Sequence, residues 1–135
     1  MFYLTRREHF NAAHKLFNPN WSDEKNTEVF GGCANPNWHG HNYTLFVTVK
    51  GKVNDELGYV VNMKDISSLI KKHVIDLVDH KNLNLDVAFL TGIIPSAENF
   101  AKAIWFQLSP HIIGCELHCI KLYETENIYV EYLGE

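Results

Sequence analysis

No stretch of this chain approaches the roughly 20 consecutive apolar residues that a membrane-spanning helix needs. The opening Met1-Phe2-Tyr3-Leu4-Thr5-Arg6-Arg7 also lacks the apolar segment of a secretory leader, so no membrane association and a cytoplasmic location are expected. Basic runs are missing too. Twelve Lys and Arg stand against 16 Asp and Glu, a formal charge of -4, and nothing in the chain suits a nucleic-acid backbone. Cysteine is scarce and odd in number: Cys33, Cys115 and Cys119 cannot all pair, which argues against a disulfide framework and leaves at least one free thiol. Repeats and linkers are absent, so residues 1–135 are expected to form one domain, and 46% hydrophobic content suffices for a core.

What is present alternates. Leu4, Phe10, Ala12 and His14 share one parity, predicting a first strand from Tyr3 to His14, bent or bulged near its middle. Phe17 to Asn37, rich in Asn, Pro, Asp and Gly, reads as a long loop. A second strand begins near His39 and carries His41, Tyr43, Leu45, Val47 and Val49 on one face. From Met63 to Val78 the apolar residues recur at helical spacing; Pro95-Ser96 opens a second helix that Pro110 stops. Leu117 to Glu124 and Tyr129 to Leu133 alternate around a turn at Thr125-Glu126-Asn127. The expected fold is α+β: a four-stranded antiparallel sheet with two helices on one face, its other face needing cover that a neighbouring subunit could supply.

The chemistry concentrates in the histidines. In a strand, side chains two apart point the same way, so His39 and His41 present two imidazoles to one point. His14, on the apolar face of the other strand, is the third candidate ligand. Three imidazoles with a vacant fourth position are the arrangement of catalytic rather than structural zinc. His9 has the wrong parity and His73 sits mid-helix, so neither is expected to bind a metal. Cys115 and Cys119 read as small hydrophobes in or beside an apolar strand, and alternation turns His118 away from Cys119.

Cys33 lies outside any core pattern, six residues before His39, as either a reactive thiol or an incidental loop cysteine. Asp79-His80 is a carboxylate beside an imidazole, able to relay protons or simply to end a helix. Glu98 falls in a first helical turn, where acidic residues are favoured electrostatically. Glu124 shares parity with Ile120 and Leu122. A carboxylate there needs a partner, such as a ligand edge with two adjacent N–H donors.

These segments together resemble the 6-pyruvoyltetrahydropterin synthase family nearly end to end. The likeness rests on Ser22-Asp23-Glu24, on Phe30-Gly31-Gly32-Cys33-Ala34-Asn35-Pro36-Asn37-Trp38-His39-Gly40-His41-Asn42-Tyr43 and on Leu77-Val78-Asp79-His80-Lys81-Asn82-Leu83. Ala97-Glu98-Asn99 and Tyr123-Glu124-Thr125-Glu126-Asn127 complete it. The resemblance implies the tunnelling fold, an oligomeric barrel assembled as a homohexamer (a dimer of trimers) with active sites between subunits. It implies Zn2+ on His14, His39 and His41, Cys33 as the proton-abstracting base, and Asp79 with His80 as the remaining acid/base pair. Glu124 would anchor the pterin, assisted by Glu98.

The implied substrate is the small molecule 7,8-dihydroneopterin triphosphate, converted to 6-pyruvoyltetrahydropterin with elimination of triphosphate and no redox cofactor. Two alternatives stand beside this. One is 6-carboxytetrahydropterin synthase of queuosine biosynthesis, which acts on the same substrate but also releases acetaldehyde; that branch typically has three residues between Cys and His-Gly-His, against five here. The other is a non-catalytic metal or pterin-binding module. Trp38, where a glycine is common, and Pro95-Ser96-Ala97, in place of a Thr-rich or Pro-Thr-Ser stretch, depart from the family pattern.

Overall fold

The computed structural model describes residues 1–135. Its strands are β1 (Phe2–His14), β2 (His39–Gly51), β3 (Lys81–Asn82), β4 (Glu116–Thr125) and β5 (Ile128–Tyr132), in the spatial order β3-β1-β2-β4-β5. The four expected strands form the antiparallel body. The fifth, β3, is a correction: two residues pairing parallel to Ala12 and Ala13, too short to leave a periodic signal.

The ladder between β1 and β2 runs unbroken from Phe2 opposite Gly51 to His14 opposite His39, so the expected bulge in β1 is absent. What interrupts the apolar pattern is chemical. Arg6 and Glu8 occupy inward parity; Arg6 Nε meets Glu8 Oε1 at 3.0 Å, and Ser67 donates to the same oxygen at 3.0 Å, so the near-buried carboxylate is satisfied. Bulges lie instead on β4. His118 is the extra residue against β2, and Glu124 the extra residue against β5.

The helices are α1 (Asp23–Phe30), α2 (Met63–Ile70), α3 (Asp76–Val78) and α4 (Ala97–Leu108), with α2 continuing into α3 through a π-helical stretch, Lys71–Ile75. Gln107 donates to the carbonyl of His73 at 3.0 Å within that stretch. Ile66, Ile70, Val74 and Val78 on one helical face and Phe100, Ile104 and Leu108 on the other pack onto Leu45, Val47, Val49, Ile120 and Leu122 of the sheet. Ser96 caps α4, its hydroxyl accepting from Asn99 N–H at 3.2 Å.

The expected long loop is also corrected: it contains α1 and a 3-10 turn, Gly31–Ala34. This helix lacks an apolar stripe. A polar hub holds it, with buried Asn26 accepting from Asn18 N–H at 2.7 Å and donating to the carbonyls of Asn18 and Ser22. Ser22 caps it and Asp23 and Glu24 occupy its first turn, the one local signal that could have revealed it.

Candidate functional site

Ladder register sets His14 directly opposite His39, and alternation adds His41 on the same face, the one that carries the core. The three ligand nitrogens all lie within 4.8 Å of one another. His14 is 1% exposed. Its Nδ1 lies 2.8 Å from the carbonyl oxygen of Pro95, which can only accept, so Nδ1 carries the proton and the Nε2 lone pair faces the group.

His14 Nε2, His39 Nδ1 and His41 Nε2 are buried and have no hydrogen-bond partner. Burial, and then the charges of His39 and His41, hold His14 down to about 4 against the pull of the Pro95 hydrogen bond. Burial and then His41 lower His39 as well. Buried imidazole nitrogens that converge on one point without partners cost free energy unless an ion takes their lone pairs. The donor set therefore fits a divalent metal, and the three histidines could hold one.

Tyr43, not singled out from the sequence, closes the back of this group. It is 1% exposed, stacks on Phe10 with ring centres 4.9 Å apart, and meets His14 and His41 edge-on. Burial, and then Glu124, push its phenol up, so the hydroxyl stays protonated. The role of Pro95 was equally invisible, because a backbone carbonyl leaves no signature in residue identity.

Glu124 reaches the same face from its bulge, with Oε1 3.6 Å from His41 Nε2. The structure thus brings Glu124 together with the three histidines. Cys33 is exposed on the 3-10 turn, and its carbonyl accepts from Leu16 N–H at 2.8 Å, which ties the turn to the chain just beyond His14. Glu98 is exposed in the first turn of α4, three residues after Pro95, without a hydrogen bond or ion pair.

Asp79 and His80 form a pair, with His80 Nδ1 3.0 Å from Asp79 Oδ1. Asn11 clamps both: its N–H donates to Asp79 Oδ1 at 3.1 Å, and its carbonyl accepts from His80 N–H at 2.7 Å. The Asn11 hydrogen bond holds the Asp79 carboxyl below its usual range; burial opposes it, and His80 adds to the lowering. His80 takes φ 61°, a strained backbone for a non-glycine residue, and that turn sends the chain into β3. The pair borders a hollow lined by His9, Asn11, Asn42 and Thr44, on the sheet face opposite the core. Within one protomer the sheet therefore separates His80 from the histidine group. His9 lies on that open face, and His73 stacks on His111 with ring centres 3.7 Å apart, so neither joins the candidate ligands.

The family model for 6-pyruvoyl tetrahydropterin synthase matches residues 3–135. The chain is 42% identical over 132 residues to the 6-pyruvoyl tetrahydrobiopterin synthase of Dictyostelium discoideum, covering 98% of this chain and 96% of that one. The solved structure of the Caenorhabditis elegans 6-pyruvoyl tetrahydropterin synthase superposes with a TM-score of 0.93 at 32% identity, over 99% of this chain and 96% of that one. A 6-carboxy-5,6,7,8-tetrahydropterin synthase of Rickettsia typhi is more distant, 29% identical over 149 residues, 97% of this chain and 99% of that one. Sequence, architecture and histidine geometry agree, and the chain belongs to the 6-pyruvoyl tetrahydropterin synthase family.

Proposed function

We propose that this protein is a zinc-dependent lyase that converts 7,8-dihydroneopterin triphosphate to 6-pyruvoyltetrahydropterin with elimination of triphosphate. The observation that carries this reading is the trio of buried, unpartnered imidazole nitrogens on His14, His39 and His41. Zinc bound there would supply Lewis acidity toward the hydroxyls of the substrate side chain. Cys33, as thiolate, takes the proton from the adjacent C–H, whose electrons form the new double bond as triphosphate departs. His80, oriented by Asp79, returns and moves protons for the tautomerisation. Glu124 accepts two N–H groups of the pterin ring, with Glu98 assisting.

These groups must converge on one substrate, yet the sheet stands between the histidine trio and Asp79–His80 of the same chain. That separation supports a site shared between subunits, the Asp79–His80 pair of one serving the Cys33 of another, as in the homohexamer, a dimer of trimers, that the family resemblance implies. The five residues between Cys33 and His39 favour the pyruvoyl product over the carboxy product.

Incubating the zinc-loaded protein with 7,8-dihydroneopterin triphosphate tests this reading. Released triphosphate and 6-pyruvoyltetrahydropterin are expected. Carboxytetrahydropterin with acetaldehyde would move the protein to the other branch. Absence of triphosphate release, or full activity in Cys33→Ala, would sink the lyase reading and leave a binding module.

A further inference from the structure

We propose that the cavity around Lys15 receives the phosphate tail of the substrate, with the Lys15 ammonium as its binding group; this rests on the lyase reading above. Lys15 follows His14 and Trp38 precedes His39, and because His14 and His39 are ladder partners the two residues adjoin just past the end of the ladder. The ammonium lies 4.4 Å from the ring centre of Trp38 and 4.8 Å from that of Phe17. Asn84 clamps the Lys15 backbone from both sides, accepting from its N–H at 3.0 Å and donating to its carbonyl at 3.1 Å.

The charge pattern is what distinguishes this lysine. Four basic residues are drawn partly out of solvent: Arg6, Lys15, Lys50 and Lys121. Arg6 meets Glu8, Lys50 meets Glu116 and Lys121 meets Glu131, whereas Lys15 meets no carboxylate. Its two aromatic neighbours attract the ammonium without neutralising its charge. An anionic ligand completes the balance. Trp38 also takes φ 68°, a left-handed backbone that an aromatic residue rarely adopts.

Space and position agree with the charge. The cavity measures about 460 Å³, and its walls include Phe17, Trp38, Leu85, Ile93 and Ile94. These mostly apolar walls strengthen the attraction between one ammonium and a phosphate oxygen. Ile94 borders the cavity and the next residue, Pro95, holds His14, so one loop shapes both the candidate metal centre and this wall. On a chain of net charge -4, a polyanionic tail needs a local cation of this kind.

Inorganic triphosphate, titrated into the metal-loaded protein by calorimetry and by tryptophan fluorescence, is the direct probe. Saturable binding is expected, weakened about 10-fold or more in Lys15→Gln and largely restored in Lys15→Arg. The fluorescence response is expected to disappear in Trp38→Phe. With 7,8-dihydroneopterin triphosphate, Lys15→Gln should raise KM while kcat changes little. Unchanged triphosphate binding in Lys15→Gln, or a fluorescence response intact in Trp38→Phe, overturns the subsite whatever the activity. Weakened binding in a protein that never turns over the substrate supports the subsite and removes the lyase reading instead.

Discussion

His14 and Pro95 are 81 residues apart, yet the imidazole Nδ1 donates to the proline carbonyl at 2.8 Å. That bond fixes the tautomer which leaves Nε2 free, and it ties the end of β1 to the entry of α4. Replacing His14 with Ala should therefore abolish stoichiometric metal binding, while His9→Ala, on the opposite sheet face, should leave it intact. Metal content of the two purified variants decides this. Full retention in His14→Ala would remove His14 from the ligand set.

The metal-free protein should lose stability on mild acidification. Burial lowers His14 from 6.5 to about 4 and lowers His39 as well, so between those values the unfolded chain binds more protons than the folded one. The sign follows: stability is fully present above about pH 6.5 and is lost progressively as pH falls toward 4. The His14 difference alone corresponds to about 3 kcal/mol. Urea unfolding of chelator-treated protein across this range measures it, and a flat profile would refute the neutral, buried state of these imidazoles.

Asp79→Asn should cut kcat by about 100-fold or more, the scale of a lost proton-transfer partner, with metal content unchanged. The depressed Asp79 carboxyl also contributes stability above its unfolded value that fades as pH falls through its folded one; in Asn that acid-side component should vanish. Steady-state rates and acid unfolding of one preparation check both effects. An unaltered kcat would reduce the Asp79–His80 pair to an anchor for Asn11.

Because the sheet separates His80 from the histidine group, two inactive variants should complement each other. Cys33→Ala and His80→Ala subunits, dissociated and reassembled 1:1, would give about a quarter of the sites both native groups if each site draws them from different chains. No recovery above either variant alone would place both groups in one chain.

Glu124→Gln exchanges a double acceptor for a group with its own donor, which repels the N–H edge of a pterin. KM should rise about 10-fold or more while metal binding survives, since the three imidazoles remain. Loss of metal together with activity would instead make the carboxylate, 3.6 Å from His41 Nε2, part of the metal centre.

Much of this protein is written locally. Period-two alternation in β1, β2, β4 and β5 and helical spacing before Asp79 encode burial on one face, which is what periodicity reports, and Pro95-Ser96 marks the start of α4 by its cap. The same parity assigned His14, His39 and His41 to a single face, because a strand has only two. The helix α1 escaped this reading since buried Asn26, rather than an apolar stripe, holds it, and β3 escaped because two residues cannot show a period.

What only the tertiary structure decided depends on groups distant in the chain or carried by the backbone. The Pro95 carbonyl selects the His14 tautomer, the Asn11 backbone clamps Asp79 and His80, and the β4 bulge aims Glu124 at His41. Backbone polar groups are identical at every residue, so where they point is settled by the fold and not by side-chain identity. The sequence determined which residues could do chemistry; packing across the sheet decided which of them meet on one face and which lie on the other.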